Sequence, residues 1–242
     1  MFHLFRKLKR QCRWGLYRKI YLKGLDSVED IQKRNIEFDQ IHDVICRSGT
    51  DNLKHFGNEY SFEGGLSLQQ NPHEFAALIC RLKEHKQEFG ASTNYLEIGS
   101  ASGGTCLLLS QIVGFANIFS LDDGMHPRAT EQKENFSTLE NFTQFLGDSH
   151  SIQAQQFIAE NVKGKLDVVF IDGDHSYNGV KEDFYLVLPF CRPGALVIFH
   201  DTVACAGVEN VWIESVLNKQ LEPLAEYIGT QKPLGIGVGR VI

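Results

Sequence analysis

Apolar runs alternate with amphipathic stretches from about residue 73 to the end of this 242-residue chain. This alternation is typical of βαβ units and predicts a doubly wound α/β fold with a mostly parallel sheet. The predicted strands span 94–98, 117–121, 142–146, 166–171, 194–199, 224–229 and 235–241. The predicted helices span 73–88, 103–114, 128–139, 150–163, 176–190 and 207–220.

Two of the predicted strands contain an unbroken apolar run, Val168 to Ile171 and Ala195 to Phe199. Uniformly apolar strands are buried on both faces, so we expect these two in the middle of the sheet. Ligands of open α/β sheets bind beyond the carboxyl ends of the strands. The residues that directly follow each strand are therefore the candidates for function.

Five predicted strands are each followed by polar or glycine residues. They are Gly99–Gly104, Asp122–Gly124, Gly147–Ser149, Asp172–His175 and His200–Thr202. Any one of these groups could be turn chemistry, because Gly, Asp and Ser are favoured in turns. Their joint occurrence at one sheet edge predicts a single binding site.

The turn after the first strand is rich in glycine. Such a turn lets the backbone approach a ligand and aims helix N–H groups at an anion. The dinucleotide pattern G-x-G-x-x-G is absent, because Ser100 and Ala101 follow Gly99. Glu97 fits poorly beside a pyrophosphate, but it suits the ammonium group of S-adenosylmethionine (SAM). The predicted SAM-binding residues of this turn are Glu97, Gly99, Ser100, Gly103 and Gly104.

Three further residues are predicted to bind the cofactor. Asp122, at the end of the second strand, is placed to accept hydrogen bonds from ribose hydroxyls. Asp148 and Ser149, after the third strand, are placed to contact the adenine edge. Capping of the following helix explains this last pair equally well.

These segments together resemble the class I SAM-dependent methyltransferases. The segments Phe170–Tyr177 (FIDGDHSY) and Phe199–Trp212 (FHDT…GVxxxW) resemble the branch of cephalosporin hydroxylase-like proteins and macrolide-sugar O-methyltransferases. The resemblance covers residues 65–242. It implies a Rossmann-like, seven-stranded sheet with an antiparallel last strand, and an enzyme that methylates a hydroxyl of a small molecule or glycan.

A hydroxyl acceptor needs a general base or a divalent metal, because it is a weak acid. Asp172 and Asp201 end adjacent strands and could converge on one cation such as Mg²⁺. The resemblance implies Asp172, His200 and Asp201 as metal ligands, with His200 in place of the expected acid. Imidazole favours Mn²⁺, Fe²⁺ or Zn²⁺ over Mg²⁺, or the exchange abolishes metal binding.

His175 is the predicted general base. An unperturbed pKa of about 6.5 suits a histidine for accepting a proton near neutrality. The resemblance assigns this role to the histidine of the D-G-x-H motif. The alternative is a histidine that caps a helix or hydrogen-bonds Asp201.

Residues 1–56 are predicted to be a basic helical extension before a catalytic domain at 57–242. Within residues 2–24 apolar positions recur every three or four residues, and no acid occurs before Asp26. This basic amphipathic helix could dock on an anionic inner membrane face, or pack on its own domain or on a second copy in a homo-oligomer.

Composition narrows the function further. The net charge is −6, and the acidic main body argues against nucleic-acid binding, which depends on clustered Lys and Arg. The six cysteines form no C-x-x-C pair, and no apolar run is long enough to span a membrane. We expect a cytoplasmic enzyme. The alternatives are a non-catalytic SAM-binding scaffold at a membrane and a nicotinamide-dependent oxidoreductase.

Overall fold

The structure is a computed structural model that describes residues 22–49, 65–89, 93–162 and 164–242. The predicted basic helix falls almost entirely outside these residues, and so does the predicted domain boundary at 56/57. Both therefore stay predictions.

The described chain contains eight α-helices and seven strands. The helices are α1 (Val28–Arg34), α2 (Phe38–Ser48), α3 (Pro72–Phe89), α4 (Gly104–Val113), α5 (Gln132–Phe136), α6 (Ile152–Asn161), α7 (Tyr177–Val187) and α8 (Ala206–Leu217). The strands are β1 (Asn94–Ile98), β2 (Asn117–Asp122), β3 (Phe142–Leu146), β4 (Leu166–Ile171), β5 (Cys191–His200), β6 (Leu221–Tyr227) and β7 (Ile236–Val241).

All seven strands form one sheet in the order β3-β2-β1-β4-β5-β7-β6. The first five pair in parallel, whereas β7 runs antiparallel to both β5 and β6. The predicted α/β sheet with an antiparallel last strand is confirmed. The two apolar strands β4 and β5 are adjacent near its centre, as their composition predicts.

Both faces of the sheet are buried. Alternate residues of each strand point to opposite faces, so Tyr95 and Phe170 pack with the helices α3 and α4. Leu96 and Val169 pack on the other face with α6, α7 and Trp212 of α8. The helices thus fix the sheet on both sides and leave its carboxyl edge for a site.

The strand β6 departs from its predicted range at both ends. We predicted 224–229, and the strand spans Leu221–Tyr227. Pro223 occupies an irregular register against β7, and β6 is an edge strand, where proline is tolerated because its missing N–H faces outward. Proline is usually a reason to begin a strand after it, which is why the sequence prediction began too late.

The first glycine of the predicted cofactor turn is required by packing. Gly99 has φ +84°, and its N–H donates to the Leu121 carbonyl. A Cβ at this position would lie 2.2 Å from the carbonyl oxygen of Asp172. The turn after β1 therefore passes against the end of β4 at a distance that only glycine permits.

We expect Gly99→Ala to lower the free energy of unfolding by about 1–3 kcal/mol more than Gly124→Ala does. Both glycines have positive φ and both variants should lose about 1–2 kcal/mol to left-handed strain. A Cβ at Gly124 meets open space, so the difference isolates the contact with Asp172. Urea unfolding of the two variants measures it, and equal losses would contradict this packing.

Candidate active site

A cavity of about 880 Å³ lies at the carboxyl edge of the sheet. The turns after β1, β2, β3, β4 and β5 all contribute to its wall, as the sequence predicts for a single site. Residues before α3 and before β7 complete the wall; among them are Gln69, Asn71, Lys232 and Leu234.

Five of the eight predicted cofactor residues line this cavity. They are Gly99, Ser100, Asp122, Asp148 and Ser149. Gly103 and Gly104 lie outside the wall formed by the described residues. A Cβ on Gly103 would meet the Phe136 ring at 2.8 Å, and one on Gly104 would meet the Leu66 carbonyl at 2.1 Å. The contacts of these two glycines are with the protein's own chain.

Glu97 also lies outside the described cavity wall. Its side chain is buried and accepts a short hydrogen bond from the Tyr95 hydroxyl. Burial is the main cause that raises the pKa of Glu97 to about 8. Glu97 is thus placed behind the cofactor turn, and contact with a ligand ammonium remains a prediction.

Asp122 holds the cofactor turn in shape. One oxygen of its carboxylate accepts from the backbone N–H groups of Ser100 at 2.8 Å and Ala101 at 2.9 Å. The other oxygen accepts from the N–H of Gly124 at 2.8 Å. A carboxylate has room for more than three hydrogen bonds, so ribose binding would add to this structural role.

Ser149 and Asp148 are positioned by different contacts. The Ser149 hydroxyl donates to the buried carboxylate of Asp183 on α7 at 2.7 Å. Asp148 accepts from the N–H of His150 at 2.9 Å. The side chain that caps α6 belongs to Ser151, which accepts from Ala154. Helix capping is therefore not what either predicted residue does.

The four predicted chemical residues meet at the ends of β4 and β5. Oδ1 of Asp172 lies 2.9 Å from Nδ1 of His200 and 3.2 Å from Nε2 of His175. Nε2 of His175 also lies 3.5 Å from Oδ2 of Asp201. All four residues line the cavity, so the sequence prediction that they converge agrees with the geometry.

The two aspartates strongly affect the histidines. The hydrogen bond with Asp172 is the main cause that raises the pKa of His175 to about 11. Burial lowers the pKa of His200, but the charges of Asp172 and Asp201 outweigh it and raise the value to about 9. Without another cation, both imidazoles would be protonated at neutral pH.

The donor set of this cluster suits a divalent ion. Asp172, His200 and Asp201 each offer a ligand atom within 4.8 Å of the others. Nδ1 of His200 faces both carboxylates, at 2.9 Å from Oδ1 of Asp172 and 3.6 Å from Oδ1 of Asp201. Oδ1 of Asp201 is buried and has no hydrogen-bond partner among the described residues. Buried polar atoms are normally paired, so the residues present fit a metal.

Sequence reasoning gave no role to three residues around the site. Gln69 and His126 approach within 2.7 Å across the cavity wall. Glu74 of α3 is buried and accepts from the N–H groups of Gly229 and Gly235, which fixes the loop before β7. These contacts join residues 57 to 161 positions apart, and a local sequence pattern carries no signal for them.

Residues 96–202 match a family model described as a methyltransferase domain. Over 111 residues the chain is 27% identical to an uncharacterized protein of Acanthamoeba polyphaga mimivirus. That match covers 44% of this chain and half of the viral protein. In the described residues, no helix is long and apolar enough to cross a membrane.

Three solved structures that share the fold are methyltransferases. An O-methyltransferase of Bacillus cereus, in complex with S-adenosylhomocysteine (SAH), has a TM-score of 0.58 at 16% identity and covers 94% of this chain and 96% of its own. The O-methyltransferase TomG of Streptomyces achromogenes, in complex with SAM, has a TM-score of 0.54 at 16% identity, covering 96% and 98%. The N-methyltransferase NodS of Bradyrhizobium japonicum, with SAH, has a TM-score of 0.51 at 15% identity, covering 83% and 97%.

The fold and the domain match together confirm the predicted resemblance to class I SAM-dependent methyltransferases. Residues 96–202 are thus similar to a methyltransferase domain. The narrower resemblance to the cephalosporin hydroxylase-like branch stays a prediction.

We expect Asp122→Asn to weaken SAH binding at least about tenfold and to lower the free energy of unfolding by about 1–3 kcal/mol. The amide group that replaces one oxygen cannot accept from both sides of the turn. Asp123→Asn is the control, because Asp123 also lines the cavity but, among the described residues, accepts only from the N–H of Met125. Calorimetric titration and urea unfolding measure both effects, and equal stability losses in the two variants would contradict the bracing role.

Proposed function

We propose that the chain transfers the methyl group of SAM to a hydroxyl of a small molecule or glycan. The observation that carries this proposal is the cluster of Asp172, His175, His200 and Asp201 in the wall of the same cavity as Gly99 and Ser100. A cofactor in contact with the turn after β1 would lie beside a proton acceptor and a set of metal ligands.

In the proposed reaction the acceptor oxygen attacks the methyl carbon of the sulfonium. The carbon–sulfur bond breaks, its electron pair stays on sulfur, and SAH is formed. The hydroxyl proton passes to Nδ1 of His175, because Nε2 faces the carboxylate of Asp172 and donates to it. Asp172 orients the ring and stabilises the resulting imidazolium, as a buried carboxylate does for a catalytic histidine.

His175 can take that proton only when its imidazole is neutral. The carboxylates beside it favour the charged form, so their charge has to be balanced first. A divalent cation held by Asp172, His200 and Asp201 would supply this balance and would lower the pKa of a bound hydroxyl. We therefore include metal assistance in the proposal.

The charge of the cavity favours a neutral acceptor. The wall contains six aspartates and a single lysine among its described residues; the acids are Asp122, Asp123, Asp148, Asp172, Asp174 and Asp201. An anionic acceptor would be repelled by them, because like charges in a partly enclosed site interact strongly. A sugar or another polyol hydroxyl fits better than a carboxylate or a phosphate.

The proposal also covers the location of the protein and the role of its basic N-terminal segment. We infer a cytoplasmic enzyme. We propose two roles for the basic residues 1–24, which are contact with the inner membrane face and association into a homo-oligomer. The basic charge of the segment supports the first role, and its apolar stripe supports both. Sedimentation with and without anionic vesicles tests them.

We expect His175→Ala to lower kcat by about 10²–10⁴-fold, the usual contribution of a general base, while SAH affinity changes less than about threefold. His150→Ala is the matched control, since His150 lines the same cavity next to Ser149 and should affect cofactor affinity more than kcat. The assay measures SAH release with a panel of monosaccharides, polyols and phenols. An unchanged kcat in His175→Ala would refute His175 as the general base.

The same panel separates an enzyme from a scaffold. Tight SAH binding without methylation of any hydroxyl acceptor would favour the non-catalytic alternative. Methylation of an amine in place of a hydroxyl would support a methyltransferase but refute a hydroxyl as the acceptor.

We expect metal removal to lower kcat at least about tenfold, because a bound cation contributes several kcal/mol to such reactions. The protein is dialysed against a chelator and assayed before and after addition of Mg²⁺ or Mn²⁺. Asp172→Asn should abolish the recovery, because it removes a carboxylate charge from the ligand set. Full activity in the chelated protein would refute metal assistance.

A further inference from the structure

Cys205 lies beside the catalytic cluster, and the proposed reaction leaves it without a role. It occupies the N-cap of α8, where Ser, Thr, Asp or Asn are favoured, and its side chain makes no capping hydrogen bond. Its Sγ lies 3.9 Å from Oδ2 of Asp201. The thiol is therefore directed at a carboxylate, and the requirements of the helix do not explain it.

A third donor faces the same carboxylate oxygen. Nε2 of His175 lies 3.5 Å from Oδ2 of Asp201, and the ligand atoms of His175, Asp201 and Cys205 all lie within 4.8 Å of one another. Ligands at the usual zinc distances of about 2.0–2.3 Å in a tetrahedron are about 3.3–3.5 Å apart. The distance from Nε2 to Oδ2 already has this value, and the distance from Sγ to Oδ2 exceeds it by about 0.4 Å.

The carboxylate of Asp201, which His175 and Cys205 both face, can accept a further interaction. The Asp201 side chain is only 8% exposed, and its Oδ1 is buried without a hydrogen-bond partner among the described residues. Nδ1 of His200 lies 3.6 Å from this oxygen, which is too long for a hydrogen bond. A buried carboxylate oxygen without a hydrogen bond is costly, and a bound cation removes that cost.

We propose that His175, Asp201 and Cys205 form a second metal site, selective for Zn²⁺. A sulfur ligand favours soft or borderline ions and disfavours Mg²⁺. Three protein ligands leave a fourth position, as in zinc sites that bind water or substrate. His175 and Asp201 line the cavity, so this fourth position faces it.

The site competes with the proposed reaction, and this consequence rests on the proposed function. Zn²⁺ at the triad binds Nε2 of His175 and so replaces the hydrogen bond by which Asp172 orients the ring of the base. It also uses Asp201, which belongs to the other donor set with Asp172 and His200. Zn²⁺ therefore acts as an inhibitor, and Mg²⁺ or Mn²⁺ does not bind at the sulfur.

The test uses Co²⁺, which replaces Zn²⁺ and reports a thiolate ligand by a sulfur-to-cobalt charge-transfer band in the near ultraviolet. The full chain is titrated with Co²⁺ in the absence of SAM and acceptor, and Zn²⁺ affinity is measured by competition with a coloured chelator. The variants are Cys205→Ser, His175→Ala and Cys46→Ser. Serine is favoured at an N-cap, so Cys205→Ser keeps the helix, which circular dichroism checks.

Cys46→Ser is the matched control. Cys46 is also half-buried, and its Sγ lies 3.8 Å from Nε2 of His42, but it belongs to neither of the three-donor groups among the described residues. The control thus separates a cysteine–histidine pair from the proposed triad.

We expect the charge-transfer band in the unmodified protein and in Cys46→Ser, and its loss in Cys205→Ser. Zn²⁺ affinity should fall at least about tenfold in Cys205→Ser and in His175→Ala, the lower limit seen for losing even an outer-shell partner. A band that survives in Cys205→Ser, or none in the unmodified protein, overturns the site. Because no methyl transfer is measured, that result leaves the proposed function untouched.

Discussion

The charge of Asp172 is the constraint on which the active site depends. Asp172 directly follows the central strand β4, and its side chain is only 15% exposed. A buried charge is tolerated only when it is paired, and His175 and His200 pair it from two different elements through the same oxygen. The ends of β4 and β5 therefore have to be in register, which the parallel pairing of Val168–Ile171 with Leu196–Phe199 provides.

This constraint also explains the close packing around the cofactor turn. The N–H of Asp172 donates to Ile98, and its carbonyl lies where a side chain on Gly99 would be. The turn that would hold SAM and the residue that organises the chemistry are thus neighbours through backbone contact. A shift of either would disturb both the cofactor and the proton acceptor.

Most of the fold could be predicted from the sequence, because long apolar runs such as those of β4 and β5 have few alternatives in an α/β protein. The convergence of Asp172, His175, His200 and Asp201 was predictable for the same reason, since parallel strands end at one edge. The contacts of Gly103 with Phe136 and of Gly104 with Leu66 were not. A glycine in a turn indicates a close approach, but the sequence does not say which part of the chain approaches.

Contacts between distant parts of the chain could not be predicted from the sequence. Glu74 resembles any acid in the first turn of a helix, where acids are common, yet its carboxylate fixes a loop 155 and 161 residues away. Cys205 is one of six scattered cysteines in the sequence, and Asp201 takes a left-handed conformation with φ +64°. Such conformations are decided by tertiary structure.

The most direct test of the account is a crystal structure of the protein with SAH and Mn²⁺, with the metal located by anomalous scattering. The account predicts that the SAH sulfur lies on the side of the cavity formed by His175 and Asp172, with Mn²⁺ between Asp172 and Asp201. SAH bound with its sulfur away from this cluster would contradict the account.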